Sequence, residues 1–151
     1  MPDWKKSMQR TFEYYIVNPS TWGDKKPIKT ITSCTINRGS DQETLGHASF
    51  DLTENIGECY IRIYLVTIQN GVRERFPLAT VLAQTPGESY DGRNKKFSVD
   101  GYYPLLELKE DKPPIGYTIS DGENIMDIAG RLVQEHMRGP VVTTTAEDKV
   151  I

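Results

Sequence analysis

The chain has 151 residues, 37% of them hydrophobic, which suits one domain or a domain with a small appendage and leaves no room for two large ones. Eighteen Lys and Arg against 21 Asp and Glu give a net charge of −3 with the signs interspersed, unlike the basic balance of a protein that grips nucleic acid by its phosphates. No run approaches the roughly 18 apolar residues of a membrane helix, and no apolar export segment follows Trp4, Lys5 and Lys6, so the expectation is a soluble chain with no membrane partner.

Residues 1–10, with Trp4 and Met8 among charges, read as a flexible arm or a short amphipathic turn. Residues 12–17 are aromatic and β-branched and stop at Asn18, Pro19 and Ser20, the composition of a strand closed by a turn. After the turn at Trp22, Gly23 and Asp24, residues 27–37 are rich in Ile and Thr and predict one further strand. Ala48, Phe50 and Leu52 alternate with His47, Ser49 and Asp51, the period of a half-buried strand. In residues 59–69, Ile61, Ile63 and Leu65 occupy one face while Tyr60, Tyr64, Val66 and Ile68 occupy the other. Both faces then need cover, and a neighbouring subunit is one source of it.

Asn70-Gly71 supplies the positive φ values of a type I′ turn into a strand over residues 73–85, within which Pro77 predicts an edge or a bulge. Asp91-Gly92 marks a second hairpin into residues 96–102, so three consecutive strands read as a meander. Pro104 can open a short helical turn through Leu108 that Pro113 and Pro114 must end. Ser120 with Glu123 resembles a capping box, and Ile125, Ile128, Ala129, Leu132 and Val133 recur at helical spacing up to Gly139 and Pro140. One C-terminal helix is expected over residues 122–138, then an extended tail over 143–151.

Chemical motifs are sparse. There is no nucleophile elbow and no glycine-rich phosphate loop, and His47 and His136 read as surface residues. Asp121, Glu123 and Asp127 sit where acidic residues favour a helix start through its dipole, without needing a cation. Cys34 and Cys59 lie in strand-like segments and read as reduced, buried thiols. The sequence therefore predicts no catalytic residue, no metal site and no cofactor, and the chain is not read as an enzyme.

The order of the pieces carries more information than any one of them. Phe12-Glu13-Tyr14-Tyr15-Ile16-Val17-Asn18-Pro19-Ser20-Thr21-Trp22 is followed by Ile31-Thr32-Ser33-Cys34-Thr35-Ile36, Ala48-Ser49-Phe50 and Tyr60-Ile61-Arg62-Ile63-Tyr64. Then come Pro77-Leu78-Ala79-Thr80-Val81-Leu82, Val99-Asp100-Gly101-Tyr102, Leu105-Leu106 and Tyr117-Thr118-Ile119. Over residues 11–142 this series resembles the opening domain of hub and minor tail proteins from the tail tip, or baseplate, of long-tailed bacteriophages. The resemblance implies a mainly β (β+α) fold, a tail-tube-like β-barrel or split barrel with one C-terminal α-helix. It also implies a homo-oligomeric ring, usually a trimer, within the virion. Its neighbours would be a distal tail or tube protein above and a fibre or spike protein below, with DNA only in transit during genome ejection. Candidate subunit contacts are Tyr60, Arg62, Tyr64, Val66, Phe76, Leu78, Ile125 and Leu132. The alternative is a LysM-like cell-wall glycan-binding module, because residues 117–125 resemble the first half of one.

Overall fold

The structure, a computed structural model, describes residues 1–39, 46–84, 87–92, 94–111 and 115–141. Among the described residues it is mainly β, with one antiparallel sheet and two helices. The chain divides into two compact units, Met1–Tyr103 and Pro104–Ile151, so the single domain expected over residues 11–142 is shared between them.

The first unit is the sheet. Its strands are β1 (Gln9–Val17), β2 (Asp24–Ile28), β3 (Ile31–Arg38), β4 (Gly46–Leu52), β5 (Cys59–Gln69), β6 (Val72–Ala83), β7 (Gly87–Asp91) and β8 (Asn94–Tyr102). They lie in the order β2-β1-β5-β6-β8-β4-β3, with β7 on β8. The sheet curls until its ends share one core, since Tyr14 of β1 stands edge-on to Phe50 of β4 at 6.3 Å. Phe50, Leu52, Ile61, Ile63, Val81, Phe97 and Val99 fill that core, each from the inward position of its strand's alternation. The outermost strands, β2 and β3, share no ladder among the described residues; only Lys29 and Thr30 join them. The result is a split barrel with one seam.

Several local expectations hold. Asn70 and Gly71 have φ of 52° and 78° in the β5–β6 hairpin. Pro77 pairs with Tyr64 while Ala79 pairs with Ile63, leaving Leu78 as the extra residue of a bulge. The Arg38 guanidinium donates to the Leu78 carbonyl and, at 3.1 Å, to the Tyr103 hydroxyl.

Other expectations are corrected. The single strand over residues 27–37 is two, because the chain leaves β1's side of the seam at Ile28 and joins β4 from Ile31. Lys29 and Thr30 carry none of the usual turn residues, so composition hid the break. The Asp91-Gly92 turn joins β8 to β7 rather than to β6, and β6 meets β8 directly only at Leu82 and Ala83. The amino-terminal arm is tied down. Gln69 accepts from the Asp3 amide at 2.8 Å and donates to the Asp3 and Ser7 carbonyls, while Trp4 packs on Phe76 with ring centroids 5.7 Å apart.

The second unit holds α1 (Leu105–Glu110) and α2 (Ile125–His136), two helices where one helix and a turn were expected. Asn124 rather than Ser120 caps α2, its side chain accepting from the Met126 amide at 2.8 Å, which shortens the expected 122–138 helix at its start. The helix also ends before Gly139, with Met137 as its C-cap. Pro113, Pro114 and the tail expected over 143–151 lie outside the described residues.

Candidate functional site

Two features of the sheet unit concentrate chemistry: a charged cluster on the outer face of β5, and the seam.

The cluster is built by register. Val17, Tyr15 and Glu13 of β1 stand beside Tyr60, Arg62 and Tyr64 of β5, and β6 supplies Leu82 and Thr80 on the other side. Asp24, opposite Val17, projects onto the same face. Arg62 donates from Nη1 to Asp24 Oδ1 at 2.9 Å, from Nη2 to the Trp22 carbonyl at 2.8 Å and from Nε to Thr80 Oγ1 at 3.2 Å. The Tyr64 hydroxyl donates to Asp24 Oδ2 at 2.9 Å, and Arg75 lies over the Tyr64 ring at 4.1 Å. Trp22 holds a left-handed φ of 55° at the turn into β2 and packs on Tyr60 at 4.9 Å. Both carboxylate oxygens of Asp24 are occupied by partners of its own chain. The cluster is therefore suited to fixing β2, β5 and β6 together rather than to moving a proton.

This arrangement decides which of the two sources covers β5. Tyr60, Tyr64 and Val66 are 3%, 8% and 1% exposed, covered by the chain itself. Trp22 covers Tyr60, while Arg75 and Tyr15 cover Tyr64. The Arg73–Glu13 ion pair, 2.5 Å long, crosses β5 diagonally at the level of Val66. As candidate subunit contacts these three are unavailable, because aromatic rings and arginine stems fill the space a neighbour was expected to take. Arg62 is locked in the cluster, Phe76 lies under Trp4, and Leu78 packs partly on the core at the bulge. Of the eight candidates, Ile125 is exposed and Leu132 half-buried, both on α2.

The seam carries two clefts that share Pro27, Ile28 and Lys29. One, of about 440 Å³, is lined also by Ile16, Lys26, Thr30 and residues 54–56; the other, of about 460 Å³, by residues 12–15 and Ile31. Thr30 Oγ1 is buried here without a hydrogen-bond partner. Sequence reasoning missed the seam, since no local pattern announces where a sheet stops closing. The available signal was Lys25-Lys26-Pro27, a charged and proline-bearing run of the kind that protects an edge strand.

The remaining titratable residues are dispersed. His47 Nε2 lies 3.1 Å from Asn37 Nδ2 across the β3–β4 ladder. His136, expected on the surface, is half-buried, with Nδ1 2.7 Å from Asp111 Oδ2 beside a cleft of about 510 Å³ lined by Glu107, Glu110, Glu135 and Arg138. Glu123 pairs with Arg131 at 3.2 Å, and no group of three His, Cys, Asp or Glu among the described residues is placed to hold a metal ion. Cys34 and Cys59 are free thiols, and burial pushes both above the ordinary thiol range. Burial also raises the Tyr14 hydroxyl, and the neighbouring Cys34 adds to the effect. Residues 117–120, in the stretch that resembles half of a LysM module, form no strand. No helix among the described residues is long and apolar enough to cross a membrane. Compared with models of known protein families and with curated proteins, the chain matches none.

Proposed function

We propose that this chain is a structural ring subunit of a bacteriophage tail tip or baseplate, joining the tail tube or distal tail ring to a fibre or spike protein. One observation supports this reading above the others. The pieces whose order resembles tail hub proteins map in the same order onto β1, β3, β4, β5, β6 and β8 of a single curled sheet that stays open at one seam. A barrel of that form, with its outer wall knotted by Arg62 and Asp24, is a stiff unit for mechanical assembly. β5 no longer argues for a neighbour, because the chain covers both of its faces. The pull toward assembly comes instead from the seam and from the uncovered face of α2.

The test is location. Gold-labelled antibody against this chain should mark the tail tip in electron micrographs of intact particles, and label that is absent or spread along the tube or capsid would exclude the role. Calorimetry with chitooligosaccharides should stay flat; binding heat would favour the glycan-binding alternative.

A further inference from the structure

The even scatter of charge along the chain hides a division between the units. Residues 1–103 carry 13 Lys and Arg against 12 Asp and Glu, a net of +1, whereas residues 104–151 carry 5 against 9, a net of −4. Each unit also leaves apolar surface uncovered. On the sheet unit this is the seam, where Phe12 is 52% exposed beside the exposed Pro27 and the half-buried Ile31. Among the described residues no ion pair engages Lys25, Lys26 or Lys29 around it. On the helical unit it is α2. Ile125, Ala129 and Leu132, spaced i, i+4, i+7, share one side of the helix, and Ile125 is 43% exposed. Only Ile128 of α2 is buried, and Glu110, Asp111 and Glu135 gather at the helix's C-terminal end.

We propose that the Ile125–Leu132 face of α2 in one copy docks in the seam of a second copy, against Phe12 and Pro27. Lys26 and Lys29 then meet the carboxylates of the partner's helical unit. The proposal rests on the ring reading and names its contact. An amphipathic helix lying in a groove is a common recognition mode, and α2, about 18 Å long, presents its apolar side over three turns. The two patches differ, so the contact is head-to-tail, the kind that closes rings. Opposite net charges steer it, and salt weakens it.

The test uses the full chain and two substitutions at exposed positions, Phe12→Asp and Ile125→Asp, read by sedimentation velocity and native mass spectrometry. Wild type should assemble, and each variant alone should run as a single chain with an unchanged circular dichroism spectrum. An equal mixture of the two variants should form one-to-one dimers and nothing larger, because each copy keeps the face the other lacks. Where a carboxylate at either position disturbs folding, Phe12→Ser and Ile125→Ser replace the pair. A mixture that stays monomeric overturns the contact. So does a single-chain wild type whose melting temperature falls on Ile125→Asp, the signature of docking within one chain. A ring that survives both substitutions overturns this contact and spares the ring reading, whereas wild type that never assembles overturns both.

Discussion

Asp24→Ala tests whether the outer cluster of β5 holds the sheet unit together. The substitution removes the 2.9 Å partner of Arg62, the 2.9 Å acceptor of the Tyr64 hydroxyl and the longer 3.7 Å contact to Arg75. Breaking a fully buried pair costs about 3–5 kcal/mol, and a hydrogen bond to a charged group contributes about 1.5–3 kcal/mol. Here Arg62 and Asp24 keep 15% and 21% side-chain exposure, and Arg62 retains the Trp22 carbonyl and Thr80. Water and the surviving partners reduce the loss to about 2–3 kcal/mol. In urea, with a slope of about 2 kcal/mol per molar, the midpoint should fall by about 1 M at unchanged slope. Both tryptophans, Trp4 and Trp22, lie in the sheet unit, so their fluorescence reports this transition. Asp24→Asn, which keeps the shape and one acceptor, should lose about half as much. Pairing Asp24→Ala with Arg62→Leu should cost less than the two single losses added, because the stranded guanidinium is gone. A midpoint for Asp24→Ala within about 0.2 M of wild type would refute the reasoning and leave the cluster a solvated decoration.

Three further outcomes follow from the geometry. Gly101→Ala places a Cβ 2.8 Å from Val81 Cγ2 and 3.0 Å from Phe50 Cε2, so overpacking should lower stability by about 1–3 kcal/mol, and adding Val81→Ala should recover part of it in the same urea assay. Asn124→Ala removes the cap of α2 and should cost the helical unit about 1 kcal/mol, read as lower amide protection across residues 125–128 by hydrogen exchange. Tyr14, Cys34 and Cys59 are all raised by burial, so the folded state holds their protons longer than the unfolded chain. Their contribution is fully present below the ordinary thiol value of 9.0 and drains away as the pH climbs through the raised values. The melting temperature should therefore drop more steeply above that pH than in a Tyr14→Phe, Cys34→Ala, Cys59→Ala variant; parallel profiles would contradict the assignment.

Patterns that repeat over a few residues are legible in the amino-acid sequence alone. The alternation of Ala48, Phe50 and Leu52, the Asn70-Gly71 turn, the bulge at Pro77 and the helical spacing after Ile125 are local consequences of side-chain period and backbone sterics. They suffice for a mainly β chain with a C-terminal helix. The candidate site is legible only in part, since helical spacing singles out Ile125 and Leu132 and Lys25-Lys26-Pro27 has the composition of an edge strand, while nothing local marks Phe12 as a wall of the seam.

What covers a strand, and where a sheet stops closing, are decided by residues far apart in the chain. β5 is apolar on both faces, and composition could not tell whether a neighbour or the chain itself would hide them. Trp22 and Asp24 reach Tyr60 and Arg62 from about forty positions away, and the Asp3–Gln69 bonds span a longer gap still. The break at Lys29 and Thr30 is equally invisible locally, because it reflects which strands β2 and β3 found as partners rather than any dislike of extended backbone. Short-range sterics write the elements into the sequence, whereas burial and pairing depend on which surfaces the whole chain brings together.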